Sequence, residues 1–479
     1  MSFLGIDIGS TRIKAALISE SGGVTEFVSR EISGLIKQPH PLHSERNILE
    51  VWKSLCSLLK TIKRIETVTA VCVDATSSTI VPISKEHEPL HAALMYNDQR
   101  AQEEVNEILS RSAAAREFQE ILPIDASLAL PKCLWLLKNS RISKEIYKFL
   151  HENDYFTMKL CNRIVTSPNI ASKTHINPKT LDYHNEILEE IGFNLDYLPQ
   201  VAPTGEVVGY VTAEASRETG IPEGTPVVNG VTDSSAGDIA TGTVEPGEVN
   251  INIGTSLVVH GVVDGIVPDE KGRIYYKPYL RENYIVGGAT NAGTLPLDAF
   301  CSLVGKSFEE LEREAEKAPT GCEGLVAQPE WMGTRIPDHN PRVRGFFIGI
   351  TRRNLTQGHM FRSLMEGNAI TLSRMLEIIS ELTKQKIRDM TLCGGGARSK
   401  LQCQIIADAT GKTVKTVETD EPAIGSAILA MAGLKGISSL RNIAKKIARK
   451  KEVYHADLKN RSTLQGVADR LFKLTEAVY

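Results

Sequence analysis

Short, β-rich apolar runs alternate along the chain with longer segments whose apolar residues recur at helical spacing. The first run, residues 3–8, leads through Gly9, Ser10 and Thr11 into a second run, residues 13–18. Two such runs joined by a short glycine-containing turn predict a β-hairpin. A third run, residues 68–73, predicts another strand and ends at a polar cluster, residues 74–78.

Helical periodicity is present in both halves of the sequence. Residues 48–62 and residues 357–382 carry apolar side chains at the spacing of an amphipathic helix. A strand-like segment at 389–393 follows, and Pro422 suits the first turn of another helix. The alternation of strands and helices predicts an α/β or mixed α+β architecture.

The sequence contains a weak internal echo. Residues 6–11 and residues 251–256 both read as strand, polar residue, glycine, two hydroxyl residues and a second apolar segment. This repetition predicts two similarly built halves, each opening with the same turn. Turn-forming glycines and prolines at 224–226 and 246–247 bracket the boundary. We therefore predict an N-terminal domain at 1–240 and a C-terminal domain at 241–479.

Length and charge limit the classes of function. A chain of 479 residues is long enough for two cores, and 42% apolar with 24% charged residues is ordinary for a globular protein. The 55 basic and 58 acidic residues leave a net charge of −3, which gives no electrostatic case for nucleic acid or an anionic membrane. The eight cysteines are scattered, and we find neither a signal peptide nor an apolar run of membrane-spanning length. We expect a soluble cytoplasmic protein.

A basic segment lies near the C-terminus, at residues 438–451. It could dock an anionic partner, but an amphipathic surface helix with a solvated basic face is the simpler interpretation.

The two glycine-hydroxyl turns are the first candidates for chemistry. Glycine lets backbone N–H groups approach a phosphate closely, and the adjacent hydroxyls add donors. Neither turn has the spacing of a P-loop, and an ordinary hairpin turn is the alternative for each. Asp7 directly precedes the first turn, where a carboxylate would repel a nucleotide unless a cation such as Mg²⁺ lies between them.

Three other sites carry weaker signals. Asp233 follows a strand-like segment among small residues, so it could act as a general base for a hydroxyl or simply cap a helix. The three glycines 394–396 could lie flat against an adenosine or form a flexible connection. Asp98 and Arg100 suit a polyhydroxylated ligand, although a solvated helix start is equally simple.

Taken together, the order and spacing of these segments resemble the FGGY carbohydrate kinases of the actin-like ATPase superfamily, over residues 3–433. The segments that carry the resemblance lie at 5–11, 96–100, 132–136, 224–233, 252–256, 344–350, 359–367, 394–396 and 421–427. Residues 96–100 are similar to the family's W-x-D-x-R, with Tyr96 in place of the usual tryptophan.

The resemblance implies two ribonuclease-H-like domains around a central cleft, with sugar bound mainly by the N-terminal domain and ATP mainly by the C-terminal one. It implies that Asp233 is the catalytic base and that Asp7 and Asp233 hold Mg²⁺. The residues it assigns to ATP and its phosphates are Gly9, Ser10, Thr11, Gly254, Thr255, Gly394, Gly395 and Gly396.

The resemblance also suggests a substrate. Xylulose kinases typically carry Met-His-Gly where this chain has the hydroxyl-rich residues 74–79, which look more like ribulokinase-type members. Ser77 and Asp98, with Asp233, would then contact the sugar, and D-ribulose or a related ketopentose such as D-xylulose is the expected substrate. The alternatives are an actin-like ATPase that acts by conformational change and a non-catalytic sugar-binding regulator. Dimers occur in such families, but no segment here marks an interface.

Overall fold

The computed structural model describes residues 1–280, 283–336 and 339–479. The chain divides into two compact units, and it passes between them several times. Unit 1 comprises residues 1–244, 277–284 and 419–448, and unit 2 comprises residues 245–276, 285–418 and 449–479. The sequence-based boundary at residues 240/241 stays a prediction, because compactness and the extent of a sequence domain are different measures.

The strands are numbered in chain order, and β1 to β15 lie in unit 1. Those of unit 1 are β1 (Ser2–Ile8), β2 (Arg12–Ser19), β3 (Val24–Glu31), β4 (Ile36–Lys37), β5 (Glu45–Arg46), β6 (Val68–Ala75), β7 (Ile80–Ile83), β8 (Ala93–Leu94), β9 (Lys148–His151), β10 (Val165–Thr166), β11 (Ile176–Asn177), β12 (Asp182–Tyr183), β13 (Gln200–Val201), β14 (Val207–Tyr210) and β15 (Pro226–Val228). The strands that follow are β16 (Glu248–Ile253), β17 (Leu257–Val263), β18 (Tyr275–Pro278), β19 (Tyr284–Thr290), β20 (Val326–Gln328), β21 (Phe346–Ile348), β22 (Asp389–Cys393), β23 (Val414–Val417) and β24 (Lys450–Tyr454).

The helices of unit 1 flank its sheets, and two of them come from the late part of the chain. The helices of both units, in chain order, are α1 (Ile48–Leu59), α2 (Gln102–Arg111), α3 (Ala113–Phe118), α4 (Ala129–Asn139), α5 (Glu152–Cys161), α6 (Pro168–Ala171), α7 (Asn185–Ile191), α8 (Ala213–Thr219), α9 (Asp233–Ala240), α10 (Leu295–Val304), α11 (Phe308–Ala315), α12 (Gln357–Thr383), α13 (Lys400–Thr410), α14 (Pro422–Lys435), α15 (Leu440–Ile447) and α16 (Leu458–Val478). Helices α14 and α15 belong to unit 1. In the described part of the chain, none of these helices combines the length and apolarity needed to span a bilayer.

The main sheet of unit 1 has the strand order β14-β15-β6-β1-β2-β3. Strands β1 and β2 form the predicted antiparallel hairpin, and β6 pairs with β1 in parallel. Every residue of β1 is buried, because helices cover both faces of the strand. Side chains of a strand alternate between faces, so Leu4, Ile6 and Ile8 enter the core with α1 and α5.

The opposite face of β1 carries Gly5 and Asp7 and packs against α14. A Cβ on Gly5 would lie 1.8 Å from the carbonyl oxygen of Ala423 in α14. On its other side, a Cβ on Gly425 would lie 1.8 Å from the carbonyl oxygen of Ala236 in α9. Glycine at both positions lets α14 lie directly between β1 and α9.

The main sheet containing the strands of unit 2 has the order β18-β19-β17-β16-β22-β23-β24. Its β16–β17 hairpin is antiparallel and β22 pairs with β16 in parallel, as in the β1–β2–β6 arrangement. The internal echo therefore marks the same strand arrangement twice, as predicted. The basic C-terminal segment differs in part from the prediction: helix α15 ends at Ile447, and Lys450 and Lys451 belong to β24.

Candidate active site

Three carboxyl groups of unit 1 lie at the carboxyl ends of neighbouring strands, and we call Asp7, Asp74 and Asp233 the acid edge. Asp7 of β1 is in register with Asp74 of β6 on one side and with Lys14 of β2 on the other. The third carboxyl group follows β15, where Thr232 forms a parallel bridge with Ala75.

The electrostatics of the acid edge reflect its burial. Burial raises the pKa of Asp7, and the nearby charge of Asp233 raises it further, while the ammonium group of Lys14 opposes both. Lys14 Nζ lies 3.6 Å from Asp7 Oδ2 and 2.6 Å from Glu421 Oε2. Burial and the charge of Asp7 likewise raise the pKa of Asp74, whose Oδ2 accepts a 2.5 Å hydrogen bond from Ser426 Oγ.

Asp233 occupies the first turn of α9 but is not its N-cap. Thr232 is the N-cap residue, and Asp233 Oδ1 accepts a 2.7 Å hydrogen bond from the backbone N–H of Ser234. Asp233 therefore lies at the N-terminus of a helix, which carries partial positive charge. Asp233 is also only partly buried, whereas Asp7 and Asp74 are buried.

The acid edge has the donor chemistry that Mg²⁺ prefers. Within the described residues, no group of three or more His, Cys, Asp or Glu side chains is arranged to hold a metal ion by itself. Mg²⁺ is commonly held by one or two carboxylates, with substrate phosphates and water completing its shell. Asp7 and Asp233 suit that kind of incomplete protein site. Their negative charges repel each other, and a cation bound between them would relieve that repulsion.

The first glycine turn, residues 9–11, joins β1 to β2. Gly9 N–H donates to the carbonyl oxygen of Arg12 at 3.0 Å, and a Cβ on Gly9 would lie 3.0 Å from the same oxygen. Ser10 is partly exposed and Thr11 is exposed. The turn therefore presents its hydroxyl residues away from the core, directly beyond Asp7.

The second glycine turn, residues 254–256, joins β16 to β17 in unit 2. Gly254 N–H donates to the carbonyl oxygen of Ser256 at 3.1 Å, and the carbonyl oxygen of Gly254 accepts from Thr294 N–H at 2.7 Å. A Cβ on Gly293 would lie 2.2 Å from the Gly254 oxygen, so glycine is needed beside the turn as well. Thr255 is exposed at its tip.

The three glycines after β22 have different surroundings. Gly394 has a φ of +82°, and a Cβ there would lie 2.5 Å from Asn252 Oδ1. A Cβ on Gly396 would lie 2.4 Å from Ile253 Cγ2, whereas a Cβ on Gly395 would meet no atom within 4 Å. Gly394 and Gly396 therefore allow close packing on the end of β16, and Gly395 presents an open backbone surface.

The hydroxyl loop, residues 76–79, connects β6 to β7 and contains the candidate sugar contact Ser77. Ser77 Oγ is buried and has no hydrogen-bond partner among the described residues. Its neighbour Ser78 has a φ of +63°, a conformation that is uncommon for residues with a Cβ. A buried hydroxyl without a partner is a candidate ligand contact, because such groups are nearly always satisfied.

Lys132 is hydrogen-bonded to the backbone of the hydroxyl loop. Its fully buried Nζ donates to the carbonyl oxygens of Ser78, Met95 and Ser127 at 3.0, 2.7 and 2.7 Å. Burial lowers the pKa of Lys132 to about 7. This lysine thus joins the hydroxyl loop to the segment that leads to Asp98.

Asp98 lies in an internal network. The buried Oδ2 accepts from Ser44 N–H at 2.6 Å and from Arg100 Nη2 at 2.7 Å, and Oδ1 accepts from Arg100 Nε at 2.8 Å. Burial opposes ionisation, but the hydrogen bonds from Arg100 and Ser44 prevail and lower the pKa of Asp98. Arg100 also pairs with Glu45 at 2.7 Å and stacks over Trp135. The carboxylate organises this region, and its contact with a sugar stays a prediction.

Two residues of the site have weak signals in the sequence. Asp74 is the penultimate residue of β6 as Asp7 is of β1, but only the parallel register places the two together. Lys277 is buried in a short segment that returns to unit 1, where its Nζ donates to Ser234 Oγ at 3.1 Å. Burial lowers the pKa of Lys277 to about 8. No motif marks this lysine, which lies 44 residues after Asp233 in the sequence.

Known proteins are similar to this chain over nearly its whole length. Residues 2–240 match the N-terminal domain of the FGGY family of carbohydrate kinases, and residues 249–434 match its C-terminal domain. The chain is 27% identical to a gluconokinase of Bacillus subtilis (strain 168) over 91% of this chain and 88% of the relative. It is 25% identical to a xylulose kinase of Staphylococcus xylosus over 99% of both.

Solved structures share the fold. The crystal structure of a "xyloylose kinase" from Brucella ovis superimposes with a TM-score of 0.93 and 21% identity, covering 100% of this chain and 99% of that one. A gluconate kinase from Lactobacillus acidophilus gives 0.91 and 21% identity, covering 100% and 98%. These likenesses confirm the predicted α/β fold of two ribonuclease-H-like, actin-like ATPase domains.

Proposed function

Because this chain belongs to the FGGY family of carbohydrate kinases, we propose that its phosphoryl acceptor is a ketopentose, and that D-ribulose is a better substrate than D-xylulose. Membership of the family makes the protein a phosphotransferase that acts on a sugar. The named relatives include both xylulose kinases and gluconokinases at low identity, so the identity of the sugar depends on the residues of this chain.

The observation that supports a ketopentose is the hydroxyl loop. It replaces the Met-His-Gly that is typical of xylulose kinases with hydroxyl residues, and Ser77 Oγ is buried without a partner among the described residues. A sugar hydroxyl would supply that partner. A site built to hydrogen-bond a hydroxyl discriminates strongly against analogues that lack it, since its own polar group is then left unpaired.

In the proposed reaction Asp233 accepts the proton of the acceptor hydroxyl as that oxygen attacks the γ-phosphorus of ATP. The O–P bond to the sugar forms while the bond to the ADP oxygen breaks, and ADP leaves with the electron pair. Backbone N–H groups and hydroxyls of the first glycine turn stabilise the transferring phosphoryl group. The second glycine turn, at Gly254 and Thr255, and the open backbone at Gly395 bind the nucleotide.

Asp7 and Asp233 would hold Mg²⁺, which when bound neutralises phosphate charge. Lys14 remains within 3.6 Å of Asp7 and limits the repulsion between the carboxylates. Lys277 and the N-terminus of α9 keep positive charge near Asp233.

The decisive experiment measures ADP release from Mg·ATP with D-ribulose, D-xylulose, their L forms, D-gluconate and glycerol, each at several concentrations. We expect D-ribulose to give the highest kcat/KM, and the Ser77→Ala variant to lose about tenfold for this sugar. Ser84→Ala, which removes a hydroxyl in the loop after β7, is the control. A preference for D-gluconate would contradict the ketopentose proposal but would still agree with a carbohydrate kinase.

The same assay separates the other two functions that the sequence leaves open. An ATPase that acts by conformational change would release ADP at the same rate with and without any sugar. A sugar-binding regulator would bind a sugar, measurable by calorimetry, without turnover. Sugar-dependent ADP release excludes both.

A further inference from the structure

Two oppositely charged side chains of unit 1 are completely buried against each other. Arg46, the last residue of β5, places Nη1 2.7 Å from Oε1 of Glu152, the first residue of α5. Neither side chain is exposed to solvent. The partners are 106 residues apart in the sequence, so no local pattern indicates the pair.

The pair contacts two loops of the candidate active site. Arg46 also donates from Nη2 to the carbonyl oxygen of Gly9, in the first glycine turn, at 3.1 Å. Glu152 Oε2 accepts a 2.7 Å hydrogen bond from Thr76 Oγ1, whose oxygen lies 2.7 Å from that of Thr79. An unbroken chain of hydrogen bonds therefore runs from the first glycine turn to the hydroxyl loop.

The pair also lies within electrostatic reach of Asp233. Burial raises the pKa of Glu152, the charge of Arg46 opposes that effect, and the charge of Asp233 adds to it. The Arg46–Glu152 pair, which we call the bridge, therefore lies close to the acid edge. Both Nη atoms of Arg46 and both carboxylate oxygens of Glu152 have hydrogen-bond partners, whereas Arg46 Nε is buried with none among the described residues.

Burial of an ion pair is a poor way to gain stability. Removing two charges from water costs about as much as their attraction returns, and well-packed apolar residues often serve as well. A buried pair is better explained by the geometry that it imposes. Here the geometry joins a turn assigned to the phosphoryl group to a loop assigned to the sugar.

We propose that Arg46 and Glu152 are positioning residues, which set the first glycine turn and the hydroxyl loop at the separation that phosphoryl transfer requires. The inference rests on the proposed function for the assignment of those two loops. Each ligand would still bind its own loop without the bridge, but the acceptor oxygen and the phosphorus would be misaligned. A misplacement of about 1 Å costs about 100-fold in rate.

The test compares the unsubstituted protein with the double variant Arg46→Met/Glu152→Met. Replacing both charges together avoids an unpaired buried charge, so we expect the thermal melting temperature to remain close to the original. We expect kcat to fall by about 100-fold while the KM values for sugar and ATP change by less than about threefold. Unchanged kcat in the folded double variant would overturn the inference.

A second buried pair supplies the matched control. Arg362 Nε lies 2.9 Å from Glu366 Oε1 within α12, and Glu366 accepts from the backbone N–H of Gly321. Because this pair contacts neither loop, Arg362→Met/Glu366→Met should leave kcat within about threefold. An equal loss of kcat in both double variants would show a general effect of removing buried pairs and would overturn the positioning role.

Thr76 tests the bridge without removing either charge. Thr76→Val deletes the hydroxyl that donates to Glu152 and keeps the shape of the side chain, whereas Thr76→Ser keeps the hydroxyl. We expect about a tenfold loss of kcat in the valine variant and near-complete rescue by serine. Equal kcat in both would contradict the bridge, even if the double variant fails to fold. Absence of turnover in the unsubstituted protein with every sugar would instead count against the proposed function.

Discussion

The two glycine turns share a backbone design and differ in charge. Each follows a strand that pairs in parallel with one neighbour and antiparallel with the other. Each begins with a glycine whose N–H donates to a carbonyl oxygen of the turn or the returning strand. The first turn follows Asp7, which lies in register with Asp74 and Lys14. The second turn follows Asn252, which lies in register with Val258 and Cys393.

In the function we propose, this difference separates nucleotide binding from phosphoryl transfer. A neutral turn can accept a polyanionic nucleotide without a cation, whereas a turn beside two buried carboxyl groups requires one. The acid edge is therefore suited to the step in which charge moves and a proton leaves. If the proposed function holds, the same backbone arrangement serves two roles because the side chains at these three matching positions differ.

The largest expected effect comes from removing the candidate base at the acid edge. Asp233→Asn keeps the size of the side chain but cannot accept the proton, so kcat should fall by about 100- to 10,000-fold. ADP release measures kcat, and calorimetry with ATP at saturating Mg²⁺ should give nearly the original affinity. The surface variant Asp196→Asn is the control, and a similar rate in the two variants would remove Asp233 from the base role.

The next variant makes the first turn resemble the second. Asp7→Asn should lower kcat by about 100-fold and raise the Mg²⁺ concentration needed for half-maximal rate, because a cation ligand is lost. The converse substitution, Asn252→Asp, should weaken ATP binding by adding negative charge beside a phosphate turn. If Asp7→Asn leaves both kcat and the Mg²⁺ dependence unchanged, the turns do not divide the roles as we propose.

The glycines after β22 should respond unequally to the same change. Gly396→Ala places a methyl group against Ile253 and should destabilise unit 2 by about 1–3 kcal/mol. Gly395→Ala meets no neighbour within 4 Å, so the melting temperature should hold while the KM for ATP rises by a few fold. An unchanged KM for ATP in the Gly395 variant would argue against adenosine contact there.

The smallest expected effect is a change in the pH profile. Burial raises the pKa of Asp7 and Lys14 opposes that rise, so Lys14→Met should raise the pKa further. Activity that needs ionised Asp7 increases as pH rises through this pKa. The acidic limb of the kcat/KM profile should therefore move to higher pH in Lys14→Met. The control Lys53→Met, which removes a surface ion pair in α1, should leave the acidic limb unchanged. If the acidic limb of Lys14→Met also stays unchanged, the ionisation of Asp7 does not control the rate.

Local patterns predicted the elements that carry the site. The β1–β2 hairpin, β22 and α12 follow from apolar periodicity and from glycine in turns, which act over a few residues. The internal echo located the second glycine turn, and the order of motifs indicated the family. These features depend on neighbours in sequence, so the sequence alone was sufficient for them.

Relations between distant residues depended on the tertiary structure. The register of β1 against β6 brings Asp74 beside Asp7, and the return of residues 419–448 to unit 1 brings Ser426 to Asp74. The hydrogen bonds of Asp98 within the protein and the Arg46–Glu152 bridge could not be predicted from the sequence either. The sequence by itself determined the strands, turns and family, because short-range sterics and periodicity encode them. Only the tertiary structure decided which charges meet, because strand register and helix packing across many residues set those distances.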